Sequence, residues 1–195
     1  MKKTLLVLLL FLISCNNQKE LSTNFNIDHI KDGVIYEVNI RQYSESGHFN
    51  EFTKDIPKLR ELGVKILWLM PIHPISKTKR KGTLGSYYSI SDYKKVNPEF
   101  GNKEDLDRLI NEAHKNGMLV ILDWVANHTG WDHSWLKNNP DFYTKNKDGE
   151  ITDPINPSTG ESWGWTDVAD LNFDNIDMQN KMIDAMEYWV KEHDI

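Results

Sequence analysis

The chain has 195 residues, 39% of them hydrophobic and 27% charged, and a formal net charge of −6. That suits one globular domain or part of a larger one. The mild acidity, with no basic stripe, argues against a nucleic-acid partner. Cys15 is the only cysteine, so an internal disulfide is excluded.

Residues 1–15 read as a targeting segment. Lys2 and Lys3 form a positive n-region, and Thr4 to Ser14 is almost wholly apolar but short for a bilayer span. Leu12-Ile13-Ser14-Cys15 resembles a bacterial lipobox, which implies cleavage before Cys15 and lipidation of that residue. An ordinary signal peptide with an incidental cysteine is the other reading. Several acyl chains at Cys15 would give a stable membrane anchor in the cell envelope of a bacterium, periplasmic or at the outer-membrane surface. Residues 16–31 are polar and suit a tether.

A first strand is expected over Val34–Ile40, with Ile35, Val38 and Ile40 apolar. A helix is expected over Thr53–Leu62, stopped by Gly63. Pro57 is tolerable only near that helix's first turn, so its start stays open. Val64–Met70 reads as the second strand. In the loop that follows, Lys77, Lys79, Arg80 and Lys81 read as a solvated charge run rather than a ligand clamp. Asn102 to Asn116 is the clearest helix: Asn102 suits an N-cap, and Leu106, Leu109, Ile110 and Ala113 share a face. Gly117 ends it. Met118–Leu122 is then a nearly continuous apolar run, as in a parallel strand buried on both faces. The alternation of strands and helices with short connections argues for βαβ units.

Polar groups gather at the end of the third strand: Asp123, Asn127 and His128. Strand alternation puts Asp123 and Asn127 on one side and His128 out of phase, in the loop just beyond. The carboxyl ends of parallel strands are where ligands bind in α/β sheets and barrels. Residues 129–176 show neither helical nor strand period. They hold many Asn, Asp, Gly, Pro and Trp, and form too long a stretch for an ordinary loop. Asp177–His193 reads as a third helix, with Met182, Ala185, Met186, Trp189 and Val190 on one face.

Asp123-Trp124-Val125-Ala126-Asn127-His128 matches the D-x-V-x-N-H signature of the alpha-amylase family of glycoside hydrolases, and the chain resembles that family in four further segments, in family order. These are the first-strand run Val34 to Tyr43, Gly63 to Pro71 around the second strand, Tyr88 to Gly101, and Val168-Ala169-Asp170-Leu171-Asn172. The glycine that usually precedes the tyrosine is replaced here by Ser86-Tyr87. The resemblance covers residues 33–195. It implies an α/β fold, the N-terminal portion of a (β/α)8 TIM barrel with an irregular insertion, domain B, after strand 3. The expected organisation is residues 1–15 signal peptide, 16–31 tether, 32–128 three strands and two helices, 129–176 the insertion, and 177–195 the third barrel helix. Such barrels need about 250 residues or more.

The implied chemistry is retaining cleavage or transfer of α-glucosidic bonds in glucans or oligosaccharides, by two carboxyl groups about 5 Å apart. By resemblance those two groups follow strands four and five, past Ile195, so no Asp or Glu of this chain is assigned either role. Also by resemblance, His128 hydrogen-bonds the sugar at the cleavage point, and Tyr88 stacks on it. Asp123 is then a buried supporting carboxylate whose arginine partner is absent, leaving it unpaired. Asn127 and Asp170 match positions that hold structural calcium in many relatives, though calcium takes roughly six to eight oxygen ligands and many relatives lack it. Trp131, Trp135, Trp163 and Trp165 suit either a glycan groove or the packing of the insertion, with packing favoured for each. A non-catalytic glycan- or partner-binding lipoprotein on the same fold stays open, as does an unrelated α/β lipoprotein. Residues 20–195 by themselves are expected to cleave no glycoside and to fold poorly. Two open sheet edges would remain, with Trp189, Met182 and Met186 partly exposed.

Overall fold

The computed structural model describes residues 30–195. The signal segment, Cys15 and most of the tether lie outside the described residues.

The chain opens with β1 (Val34–Val38), then α1 (Ile40–Tyr43), α2 (Phe49–Thr53) and α3 (Ile56–Glu61). The first strand is shorter than the apolar pattern predicts. Asn39 leaves the extended ladder and its side-chain oxygen accepts from the Gln42 amide, which starts a helical turn at Ile40. The helix expected over Thr53–Leu62 starts later, at Ile56, and a separate short helix, α2, precedes it. Pro57 lies in the first turn of α3, where its missing N–H breaks no hydrogen bond, so the preceding turn has to end at Thr53. Next come β2 (Val64–Leu69), α4 (Lys103–Lys115) and β3 (Leu119–Leu122). A reciprocal capping box starts α4: the Asp105 amide donates to Asn102 Oδ1 at 2.9 Å, and the Asn102 amide to Asp105 Oδ2 at 2.9 Å.

The three strands form one parallel sheet in the order β1-β2-β3. Its two faces differ. Val38, Leu67, Leu69 and Val120 are buried against Phe49, Phe52 and Ile56 of α2 and α3 and against Leu106, Leu109 and Ala113 of α4. On the other face Glu37, Trp68 and Ile121 are register neighbours, and Ile35, Trp68 and Ile121 are exposed. The run expected to be buried on both sides is therefore buried on one. This layer of three parallel strands with helices packed on one face matches the arrangement expected of the N-terminal portion of a (β/α)8 barrel.

The insertion carries more regular structure than its sequence suggests. β4 (His128–Gly130) pairs antiparallel with β5 (Val168–Asp170), and between them lie α5 (Ser134–Asn138) and a 3-10 turn at Pro140–Phe142. His128 thus starts a strand and does not sit in a loop. Residues 123–127 belong to no strand, so alternation does not carry from Asp123 to Asn127.

The final helix, α6 (Ile176–His193), covers a second core with Ile90, Tyr93, Val125, Phe142 and Tyr143. Trp189 and Met182, expected to be partly exposed, are buried; Met186 is exposed. Trp189 Nε1–H donates to the Tyr93 carbonyl at 2.7 Å and joins the sheet core, while Met182 meets Trp124 Nε1–H at 3.3 Å and packs with Phe142, Tyr143, Ala169 and Leu171 of the insertion.

Candidate functional site

Asp123 directly follows β3, and its amide extends the ladder by donating to the Leu69 carbonyl at 2.8 Å. The side chain is half-buried and is not unpaired: Tyr88 Oη–H donates to Asp123 Oδ2 at 3.0 Å. Tyr88 comes from the loop after β2 and is 38% exposed, which rules out a core tyrosine. Burial of its hydroxyl, the bond to Asp123 and the charges of Asp123 and Glu37 push the phenol up to about 12. It therefore stays protonated and acts as a donor at neutral pH.

His128 is 8% exposed and sits against the backbone of the same loop. Its Nε2 lies 3.2 Å from the Tyr88 carbonyl, and its Nδ1 lies 3.2 Å from Asn127 Nδ2. A carbonyl only accepts, so Nε2 carries the proton and Nδ1 accepts from the amide. Desolvation lowers the pKa of the ring, against the opposing pull of the Tyr88 carbonyl and the Asp167 charge, so the ring is neutral at pH 7. A sugar hydroxyl reaching Nε2–H has to share it with the Tyr88 carbonyl.

Two further residues hold this geometry, and neither was singled out by sequence reasoning. Tyr93 Oη–H lies 2.7 Å from the Val125 carbonyl and 2.8 Å from the His128 carbonyl, so one buried phenol pins the connection from Asp123 to His128. Gly130 packs so closely on the loop that a Cβ there would lie 2.2 Å from Ser76 Cβ. The Tyr88–Tyr93 segment showed only as a motif. The contacts that fix it come both from the loop, at Pro74 to Ser76, and from Val125 and His128, more than 30 positions away.

Ser86, Tyr88, His128, Trp165, Asp167 and Val168 line a cavity of about 330 Å³. Of these, Ser86 and Asp167 carried no expectation. Lys77, Lys79 and Lys81 of the charge run are exposed, as expected of a solvated loop, but the run also makes specific contacts. Arg80 donates to the carbonyls of Ile75 and Ser76, Lys81 pairs with Asp167 at 3.3 Å, and Lys79 Nζ sits 3.3 Å above the Trp131 ring. The Arg80 bonds close the loop on itself, and the Lys79 and Lys81 contacts latch it onto the insertion.

Asn127 and Asp170 come from adjacent chain segments, since the Leu171 amide donates to the Asn127 carbonyl and Asp170 pairs with His128 across β4–β5. The Asp170 carboxyl is raised, by burial first and by the neighbouring Asp153 charge. Among the described residues no three His, Cys, Asp or Glu side chains converge as a metal site. One amide and one carboxylate do not make up a calcium shell, so no step below runs through a metal.

The site is thus an aromatic face, a neutral histidine donor and a half-buried carboxylate at the carboxyl end of a parallel sheet. Polar and aromatic side chains at the carboxyl ends of parallel strands are the arrangement of a ligand-binding α/β barrel. Residues 20–195 match the family described as alpha amylase, catalytic domain, and the chain belongs to that family. It is 40% identical over 110 residues to the alpha-amylase SusG of Bacteroides thetaiotaomicron, an alignment covering 53% of this chain and 15% of that protein. Its fold is similar to the crystal structure of an alpha-amylase from Lactobacillus plantarum, with a TM-score of 0.76 and 39% identity, covering 83% of this chain and 36% of that one. It is also similar to an alpha-amylase from Geobacillus thermoleovorans solved with acarbose, with a TM-score of 0.68 and 29% identity over 85% of this chain and 39% of that one. The chain therefore spans between 15% and 39% of the length of these relatives.

Proposed function

We propose that this chain supplies part of the cleavage subsite of a retaining enzyme acting on α-glucosidic bonds of glucans or oligosaccharides. The observation that carries this reading is the joining of Tyr88, Asp123 and His128 through hydrogen bonds of 3.0 and 3.2 Å at the strand ends. An aromatic face that also holds a hydroxyl donor suits the apolar face and the polar rim of a pyranose. Asp123 orients the Tyr88 ring, and the Tyr88 carbonyl orients His128. In this reading the segment binds and positions the sugar, and none of its Asp or Glu side chains is assigned as nucleophile or acid/base.

In the full-length protein, His128→Ala and Tyr88→Ala should each lower kcat/KM on an α-linked gluco-oligosaccharide by roughly tenfold or more, about 1.4 kcal/mol of transition-state binding. Tyr88→Phe keeps the stacking face but loses the bond to Asp123, so its loss should be smaller. Wild-type kinetics in both alanine variants would remove the assignment. Tight binding of the oligosaccharide without cleavage by the wild-type protein would favour the glycan-binding reading instead.

We also propose a lipid anchor at Cys15 in the bacterial cell envelope, supported by the Leu12-Ile13-Ser14-Cys15 run. Cys15→Ser should move the protein out of the membrane fraction. An unmodified Cys15 in the mature wild-type protein, read by mass spectrometry, would contradict the anchor.

A further inference from the structure

The chain carries a net charge of −6, yet one cavity of about 370 Å³ is lined by three lysines and no acidic side chain. It lies between the segment that follows Tyr93 and the C-terminal half of α6. Lys94, Lys95 and Lys103 are exposed at its rim, and Val96, Pro98 and Tyr188 give it an apolar wall. Lys94 pairs with Asp184 at 2.9 Å and Lys95 with Asp92 at 3.0 Å, while Lys103 has no ion pair among the described residues. The start of α4 does not supply the positive charge, because Asp105 already caps it.

Exposed lysines alone would be a solvated surface. His193, which also lines the cavity, makes the difference. It is 3% exposed, and its Nδ1 lies 2.6 Å from Asp107 Oδ1. A carboxylate only accepts, so Nδ1 carries the proton, and in the neutral ring Nε2 is then an acceptor. Nε2 is buried and has no hydrogen-bond partner. A buried acceptor left unpaired is costly, and the cavity is the side from which a donor can reach it.

A ligand for this cavity has to bring negative charge for the lysines and a proton for Nε2. A carboxylate or a sulfate ester brings only the charge at neutral pH. A phosphate monoester brings both, because its second proton leaves at about pH 6. The P–O–H group donates to Nε2, and the remaining oxygens accept from the lysines. We propose that this cavity binds a small phosphate monoester, with the phosphate on His193 Nε2 and Lys103 and the organic body against Val96, Pro98 and Tyr188. Tyr88, Asp123 and His128 do not line it, so the proposal stands apart from the α-glucoside reading. Lys103 begins α4 and His193 ends α6, so the ligand bridges two helices.

The test is calorimetric titration of the full-length protein at about pH 6, where a phosphate monoester keeps the proton in roughly half its molecules. Phenyl phosphate is the probe. Phenyl sulfate has the same body without the proton, and inorganic phosphate has the proton without the body. Phenyl phosphate should bind at one site, with phenyl sulfate roughly tenfold weaker and inorganic phosphate roughly fivefold weaker. Lys103→Gln, an exposed change, should weaken phenyl phosphate about threefold or more at an unchanged melting temperature, and Lys103→Arg should keep the affinity. His193→Phe should lose roughly tenfold; if that variant does not fold, Lys103→Gln decides. No binding of phenyl phosphate by the wild type, equal binding of phenyl sulfate, or unchanged affinity in Lys103→Gln would overturn the site. Inorganic phosphate binding as tightly as phenyl phosphate would overturn the ester in favour of the free ion.

Discussion

Taking the protein from pH 6.5 to pH 4 should remove a large part of its folding stability. Two histidines cause most of this, and His128, also lowered by burial, adds in the same direction. His73 is fully buried among Tyr93, Trp124 and Trp189, and its Nδ1–H donates to the Lys95 carbonyl at 3.3 Å. Its Nε2 has no partner. Desolvation lowers the ring from 6.5 to about 4, against the opposing Lys95 carbonyl and Asp92 charge, and the neighbouring His133 adds to the lowering. His133 is 4% exposed and is also lowered to about 4 by burial, despite Asp92 and Asp132. Both folded values lie below the unfolded one, so between them the unfolded chain binds more protons. Stability is therefore complete above pH 6.5 and is lost as the pH falls toward 4.

The slope is about 1.4 kcal/mol per pH unit for each histidine, so the window removes roughly 3 kcal/mol per ring. Two such losses are comparable to the whole stability of a typical domain, about 5–15 kcal/mol. Asp105 does not confound the window, because the Asn102 N–H lowers its pKa and its contribution is lost only at more acid pH. Asp170, raised by burial, works in the opposite direction. The measurement is the urea midpoint from pH 7 to pH 4, in wild type and in His73→Asn. The variant should show a shallower dependence, by one proton. A wild-type midpoint independent of pH across the window would show that these rings titrate as in water.

Gly130→Ala should be among the most damaging single substitutions in the chain. No unusual backbone angle is involved; the cause is space. The new methyl would lie 2.2 Å from Ser76 Cβ, 2.9 Å from Ser76 Oγ and 3.1 Å from the Ser89 carbonyl. Neither side yields easily. The Gly130 amide donates to the Ile90 carbonyl at 2.7 Å, and the Ser76 amide donates to the Ser89 carbonyl at 2.7 Å. Overpacking of this kind costs about 1–3 kcal/mol, occasionally more. Function should suffer as well, since the strand carries His128 and the displaced loop carries Tyr88. Adding Ser76→Gly removes the obstructing atoms and should restore more than half of the lost stability. A double variant whose losses simply add would place the damage elsewhere.

Much of this molecule can be read along the chain. The α4 pattern of Leu106, Leu109, Ile110 and Ala113, with Asn102 before it, specifies an amphipathic helix and its start, because capping and facial burial are local properties. The six residues from Asp123 to His128 mark the site for a similar reason. A strand end followed by clustered polar side chains is a local arrangement. Pro57 likewise announces that a helix begins near it, because a missing N–H is felt within one turn.

Other features depend on residues distant in sequence, and only the tertiary structure decided them. Asp123 has a partner because Tyr88, 35 positions earlier, returns over the strand end. His128 joins a strand because Asp170 comes back beside it, and no pattern in three residues announces such a pairing. Met182 is buried because the insertion folds under α6, and Trp189 because the same helix reaches the core of the sheet. Trp163 and Trp165 stay exposed while Trp131 and Trp135 are covered, although all four look alike in sequence. Local periodicity reports which residues share a face of their own element. What covers that face is set by chain reversals that bring distant segments together, and those depend on packing across the whole molecule.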